Sequence, residues 1–370
     1  MLKHLIMKKN ILIIIGTRPN FIKVTRFKEV ATDYPNINLK IVHTGQHYDA
    51  TMADVFFKQF NLTPDYFLNV GAGSPNFQIA DIMLKLEELI TTKFKPDLIL
   101  VVGDVNSTLA GALTANKLNI KLAHVESGLR SFDETMPEEI NRIITDKLCD
   151  LFFVTEPSGI ENLKKEGVKN DKVKFVGNTM IDTLVSFSDK IEQADILEKH
   201  ELLPQQYVLA TLHRPATVDF EAGLKKLIEL FENITKKYKV VFPIHPRTVS
   251  NLKKFGLYKQ LVENKNLTTT EPLDYFAFQK LIKYSKFIIT DSGGIQEEST
   301  FLKVPCLTLR NNTERPITCI EGTNTLVKFD IVEINKLISE IENGAYKKGK
   351  IPELWDGKAT ERIFKELLSL

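Results

Sequence analysis

The chain has 370 residues, enough for two domains at roughly 150 residues each. Hydrophobic residues make up 43% and charged residues 26%, the balance of an ordinary globular protein with apolar material for two cores. Lysine and arginine total 49 against 47 acidic residues, which excludes the basic footprint of a nucleic-acid or membrane-surface binder while leaving room for local clusters that hold an anion.

Residues 1–10 are basic and lead into the apolar run 11–15, but Gly16-Thr17-Arg18-Pro19 ends that run too soon for a signal sequence. No apolar stretch approaches the roughly 20 residues of a membrane span. Similar short runs recur at 98–102, 122–125, 151–154 and 173–176, each followed by a turn and a helical pattern. Short β-rich runs alternating with helices predict buried parallel strands in βαβ units. Residues 182–204 are charged and helix-like and end in Leu203-Pro204. A second series of runs follows at 207–211, 240–243, 287–290 and 305–309. The expectation is an α/β protein of two doubly wound domains, 1–180 and 181–357, with an amphipathic terminal helix in 358–370 after the turn Trp355-Asp356-Gly357. The cysteines Cys149, Cys306 and Cys319 fit neither a zinc site nor a redox pair, so a reduced, cytoplasmic protein without a metal centre is expected.

The polar residues stand where such a fold binds ligands, beyond the carboxyl ends of the strands. Asp291-Ser292-Gly293-Gly294 follows the run 287–290 and opens a helix, so its amides and the helix dipole suit a pyrophosphate. Glu298, one turn in, is placed to meet ribose hydroxyls. The competing reading is a plain tight turn. Arg18 and Lys23, after the first run, either reach phosphate or pair with neighbouring acids. The segment from His124 to Arg142 is dense in acids and bases. Proton removal from carbon needs a positioned base and an acid on the other face. Asp104, Glu126, Glu138 and His213 are the candidates. Against them stand a helix N-cap at Asp104 and dipole compensation by one of Glu138 and Glu139. His245 follows the run 240–243, and Phe278 is either core or a stacking ring. Two domains with facing strand ends would line one cleft from both sides.

Other patterns fail. Residues 344–350 begin like a phosphate loop, but Ile351 stands where a Ser or Thr must hold magnesium. There is no Asp-x-Asp, which argues against a metal-dependent glycosyltransferase, and no dinucleotide fingerprint follows the first run, so no cofactor is expected.

Taken together, Gly16-Thr17-Arg18-Pro19, Thr44-Gly45-Gln46-His47-Tyr48-Asp49, Gly103-Asp104, residues 124–130, residues 137–142, His213-Arg214, His245-Pro246, residues 291–298, Thr313-Glu314-Arg315-Pro316 and Gly322-Thr323 resemble the non-hydrolysing UDP-N-acetylglucosamine 2-epimerases. The resemblance covers nearly the whole chain. It implies two Rossmann-like domains of the glycosyltransferase-B type, with the last helix returning to the first domain. It implies UDP on the second domain, with Ser292, Gly293 and Gly294 at the pyrophosphate, Glu298 at the ribose and Phe278 near the uracil. Arg18, His213 and Arg315 would hold phosphate, and Lys23, Arg142 and His245 would join the substrate-binding set. Asp104, Glu126 and Glu138 match the family's catalytic acids, and His213 is kept beside them. A homodimer is implied. In some members a second substrate molecule activates near the positions of Gln46 and His47, although Gly71-Ala72-Gly73-Ser74-Pro75 lacks the basic residue such a site calls for. The chain also departs from the family at Asn20, where Glu is common, and at Pro215-Ala216-Thr217 after His213-Arg214. The reading is epimerisation of a UDP-sugar at C2 through loss and re-addition of UDP. Its rivals are epimerisation of a UDP-diacetamido-uronic acid, a hydrolysing epimerase, a glycosyltransferase and a non-catalytic UDP-sugar binder.

Overall fold

The computed structural model describes residues 8–45 and 57–369. The chain divides into two compact units, Met1–Val185 with Glu353–Leu370, and Ser186–Pro352.

The first unit carries a parallel sheet of β1 (Lys9–Ile15), β2 (Ile37–His43), β3 (Tyr66–Phe67), β4 (Leu98–Val102), β5 (Lys121–Val125), β6 (Leu151–Val154) and β7 (Val173–Phe175), in the order β3-β2-β1-β4-β5-β6-β7. The second carries β8 (Tyr207–Thr211), β9 (Lys239–Pro243), β10 (Leu267–Thr270), β11 (Phe287–Thr290), β12 (Cys306–Thr308) and β13 (Asn324–Leu326), in the order β10-β9-β8-β11-β12-β13. Every pairing is parallel, so each connection is a crossover, and helices cover both faces. The central strands are the apolar runs: β4 reads Leu-Ile-Leu-Val-Val and is buried throughout. This is the doubly wound α/β architecture expected for both halves.

Both orders reverse direction once, between β1 and β4 in the first unit and between β8 and β11 in the second. Helices leave on opposite sides at such a point, and the crevice opened at the carboxyl ends is where these folds take ligands. The residues that follow β1, β4, β8 and β11 therefore stand at these crevices.

The helix Ala359–Leu368 packs on the first unit, against the helix Phe27–Ala31, as the resemblance implies. Phe364 meets Phe27 and Tyr34 with ring centres 5.8 and 5.2 Å apart. Trp355 is buried and donates its indole N–H to the Thr155 carbonyl at 3.0 Å. The expected turn before the helix is present, with Gly357 at φ +82, and the cap comes from far along the chain. Asp182 supplies it, accepting from the backbone N–H groups of Ala359 and Thr360 at 3.0 and 2.6 Å and from the Thr360 hydroxyl at 2.7 Å. Burial outweighs these bonds and raises the Asp182 pKa. Cys149, Cys306 and Cys319 are unbridged. Among the described residues, no helix is long and apolar enough to cross a membrane.

Candidate active site

In the first unit, β1 delivers the chain to Gly16, where a Cβ would lie 1.9 Å from the Ser107 hydroxyl oxygen. The helix Arg18–Val24 begins there with Pro19 in its first turn, where a missing N–H costs nothing. Arg18 is half-buried at its start, and Lys23 is buried. Asn20 is buried too and donates to the Val102 carbonyl at 2.8 Å, tying this helix to the end of β4. Lys23 forms a buried ion pair with Glu126, the first residue after β5. Glu126 has φ +73, a left-handed backbone that disfavours residues with a Cβ and costs about 1 kcal/mol or more. A strained backbone under a buried carboxylate is the pattern of a side chain aimed by its surroundings.

Asp104, half-buried after β4, pairs with the buried Arg142. Arg142 also pairs with Glu139, one turn earlier on the helix Pro137–Leu148. Asn141 donates to the Asp104 carbonyl at 2.9 Å. Arg142 thus holds one exposed-side and one buried carboxylate in register. Glu139 is fully engaged, accepting from the Ser131 and Phe132 backbone N–H groups at 2.9 Å each and from the Ser131 hydroxyl at 2.9 Å. Glu138 is exposed on the first turn of the same helix. Of the two neighbouring glutamates, Glu139 holds the preceding loop, and Glu138 keeps a solvent-facing carboxylate.

A buried layer lies beneath these acids. His124 places Nδ1 2.7 Å from Asp146 and Nε2 2.7 Å from the Gly103 carbonyl. Asp146 also accepts the Gly128 N–H at 3.0 Å and pairs with Arg130 at 2.7 Å. Burial pushes the Asp146 carboxyl up, but His124 and Arg130 overcome it and hold the carboxyl below its usual range. The turns bearing Asp104 and Glu126 are thereby fastened to one another through His124 and Asp146. The sequence singled out neither residue as functional; a His and an Asp at buried strand and helix positions give no signal until the topology brings them together.

In the second unit, Asp291 follows β11 and is buried. It accepts the His213 and Arg214 backbone N–H groups at 2.9 and 2.8 Å, and its other oxygen lies 3.0 Å from His213 Nδ1. Burial raises the Asp291 pKa, yet the His213 ring and these two N–H groups win, and the carboxyl sits below its usual value. The contact orients the half-buried His213 ring, which stands 5.7 Å from that of His245. His245 caps the helix Pro246–Lys254, its Nδ1 accepting the Arg247 N–H at 3.1 Å. Partial burial, and behind it the His213 and Arg247 charges, lowers the His245 pKa.

Ser292 is the N-cap of the helix Gly293–Phe301, and among the described residues no side chain makes a capping bond to its first turn. The leading amides of a helix have no intrahelical partner, and the dipole adds partial positive charge. Arg315 lies against this turn: a Cβ on Gly293 would stand 2.8 Å from its Nη1 and 2.7 Å from Glu314 Oε1. Arg315 also pairs with Glu314 and, at 2.6 Å, with Glu297, while Arg310 pairs with Glu314 at 2.8 Å. Two arginines and two glutamates thus form a buried, charge-balanced group behind an uncapped helix N-terminus. Glu298 is buried in the same helix. Phe278 packs half-buried against the apolar core that includes Leu281 and Ile288.

The structure therefore brings Lys23 to Glu126, Asp104 to Arg142, His213 to Asp291 and Arg315 to Gly293. Gln46 and His47 lie outside the described residues. Among the described residues, no group of three or more His, Cys, Asp or Glu side chains comes together as a metal site.

The chain is similar to known proteins in sequence and in fold. A family model described as UDP-N-acetylglucosamine 2-epimerase matches residues 29–368. The UDP-N-acetylglucosamine 2-epimerase of Methanocaldococcus jannaschii is 41% identical over 361 residues, covering 96% of this chain and 98% of its own. A Pseudomonas aeruginosa protein named UDP-2,3-diacetamido-2,3-dideoxy-D-glucuronate 2-epimerase is 38% identical over 323 residues, covering 86% and 88%. The crystal structure of the M. jannaschii enzyme in complex with UDP-GlcNAc and UDP has a TM-score of 0.88 at 40% identity, covering 98% of this chain and 100% of that one. That of the Neisseria meningitidis enzyme bound to UDP-GlcNAc has a TM-score of 0.89 at 30% identity, with the same coverage. This chain belongs to the UDP-N-acetylglucosamine 2-epimerase family.

Proposed function

We propose that this chain interconverts UDP-N-acetylglucosamine and UDP-N-acetylmannosamine by eliminating UDP and adding it back. A carboxylate takes the proton from C2 while the C1–O bond breaks and its electrons leave with UDP. The C–H electron pair becomes the C1–C2 double bond of a bound glycal. A proton then returns to the opposite face of C2, and the phosphate oxygen adds to C1. Inversion needs proton-transfer groups on two faces of one carbon, and this requirement selects the site. The observation that carries the reading is the pair Glu126 and Asp104, two carboxylates at neighbouring strand ends, each held by a buried cation. Glu138 and His213 complete the proposed catalytic set.

The second unit is assigned the nucleotide. The uncapped helix N-terminus at Ser292, Gly293 and Gly294, with Arg315 beside it, suits the diphosphate. Negative charge grows on the departing UDP, so the same groups lower the barrier as well as bind. Arg18, Lys23, Arg142, His213 and His245 are assigned to holding substrate, Glu298 to the ribose and Phe278 to the base. A homodimer belongs to the same reading, and light scattering on the purified protein tests it. The unbridged cysteines fit a cytoplasmic enzyme.

The test is product analysis after incubation with UDP-N-acetylglucosamine. UDP-N-acetylmannosamine in equilibrium with substrate supports the reading. Release of UDP with free N-acetylmannosamine would make the enzyme hydrolysing. Turnover of UDP-2,3-diacetamido-2,3-dideoxy-D-glucuronate alone would move the substrate to that of the P. aeruginosa relative.

A further inference from the structure

The turn Ser292-Gly293-Gly294 and the segment Thr313-Glu314-Arg315 are joined by one side chain. Gln296 is fully buried in the first turn of the helix Gly293–Phe301. Its Oε1 accepts from the Thr313 hydroxyl at 2.7 Å and from Asn324 Nδ2 at 3.0 Å, and its Nε2 donates to the Ser292 carbonyl at 3.3 Å. The neighbours fix which way the amide points. Thr313 Oγ1 accepts the Arg315 backbone N–H at 3.0 Å and gives its single proton to Gln296. Asn324 is fixed likewise, its Oδ1 accepting from the Thr308 hydroxyl at 2.6 Å. A directed chain of hydrogen bonds thus runs from the Arg315 N–H through Thr313 and Gln296 to the Ser292 carbonyl.

Its two ends are the two halves of the anion cradle. One is the helix N-terminus that presents its amides, and the other is the backbone that carries the Arg315 guanidinium against Gly293. Preorganised donors bind an anion well only if their spacing is set before the anion arrives. We propose that Gln296 is a positioning residue that sets the distance between the Gly293-Gly294 amides and Arg315, and so tunes affinity for a nucleoside diphosphate. The proposal rests on the reading of this cradle as the UDP site. A glutamine serving the fold alone would affect stability and leave affinity untouched. Here both acceptor sites and one N–H are committed, and two of these three bonds go to the cradle's own segments.

The experiment measures UDP binding by calorimetry for wild type, Gln296→Met, Thr313→Val and the double variant, each with a thermal melt with and without UDP. Methionine keeps the length and loses the bonds, and Thr313→Val cuts the same chain from its other side without touching the helix. The expected result is UDP affinity weakened about tenfold in each single variant, the cost of a disturbed buried polar network. The double variant should lose no more than the weaker-binding single, because both cut one path. If Gln296→Met does not fold, the Thr313→Val loss of affinity decides the question alone. Wild-type affinity in the folded variants, with only a lower melting temperature, would overturn the positioning role. Fully additive losses would overturn it too. Failure of wild type to bind UDP would remove the nucleotide reading and this proposal together, and so is told apart from failure of the proposal alone.

Discussion

Lys23 and Glu126 form a buried ion pair that passes over the end of a strand belonging to neither. Lys23 lies on the helix after β1, and Glu126 follows β5, with β4 between them in the sheet. Room for the pair comes from Gly103 at the end of β4. It has φ +66, and a Cβ there would sit 3.3 Å from the Lys23 ammonium, the Glu126 carboxylate and the Asn20 amide together. Sequence, topology and site meet in this glycine.

Removing one partner of the pair is therefore more harmful than its distance from the surface suggests. Lys23→Met removes the ammonium that pairs with the buried Glu126 carboxylate and should cost about 3–5 kcal/mol of stability. Adding Glu126→Gln to Lys23→Met should restore part of it. Urea unfolding of the three proteins measures this, and equal midpoints would show that the pair is not electrostatically coupled.

Glu126→Gln alone keeps shape and removes the proton-transfer group. Turnover should fall at least about a hundredfold, with UDP affinity within about threefold of wild type. Initial rates and calorimetry measure the two. Unchanged turnover removes Glu126 from the catalytic set.

Gly293→Ala puts a methyl where Glu314 and Arg315 already stand, at 2.7 and 2.8 Å. Both side chains are buried and paired, so they give way only by disturbing the cradle. UDP binding should weaken by about tenfold, the scale of a modest overpacking cost read as affinity. Undiminished affinity would place the diphosphate elsewhere.

Acid should destabilise each unit through a named carboxylate. Asp146 and Asp291 both have folded pKa values below the ordinary 3.8. Their stabilisation is complete above 3.8 and is lost as the pH falls through the folded values, because the unfolded chain binds protons first. Asp291→Asn should lose less stability than wild type between about pH 5 and about pH 3, as denaturant titrations at the two pH values would measure. An identical loss would assign the acid sensitivity to other groups.

Asp182 behaves in the opposite sense. Its raised pKa makes its contribution full below the unfolded value and lost as the pH rises through the folded one. As the remote cap of the terminal helix it should still matter: Asp182→Ala is expected to cost about 1–2 kcal/mol and to speed amide exchange in residues 359–368. Exchange unchanged in that helix would show that packing by Phe364 and Trp355 holds it unaided.

Much of the architecture was legible in the sequence because the central strands are continuous apolar runs ending in unusual polar residues. The strands that escaped notice lie toward the sheet edges. β10 reads Leu-Thr-Thr-Thr and β13 Asn-Thr-Leu, both partly exposed, and β2 mixes Asn and Lys into its first half. Edge strands are buried on fewer sides and need no apolar run. The motif residues at strand ends stood out, and the structure groups several of them. Their supports did not: Glu139, His124, Asp146 and Gln296 act through partners up to 28 residues away in the chain, and no local pattern encodes such pairings. Glu139 was visible as one of two adjacent acids. Only the tertiary structure shows that it, and not Glu138, grips the loop before its helix.

Elimination and re-addition of UDP require proton exchange at C2, and one incubation tests for it. UDP-N-acetylglucosamine is held with the enzyme in deuterium oxide, and the nucleotide sugars are followed by NMR. Deuterium is expected at C2 of the recovered UDP-N-acetylglucosamine together with deuterated UDP-N-acetylmannosamine. Epimer that forms with its C2 hydrogen retained would contradict elimination of UDP.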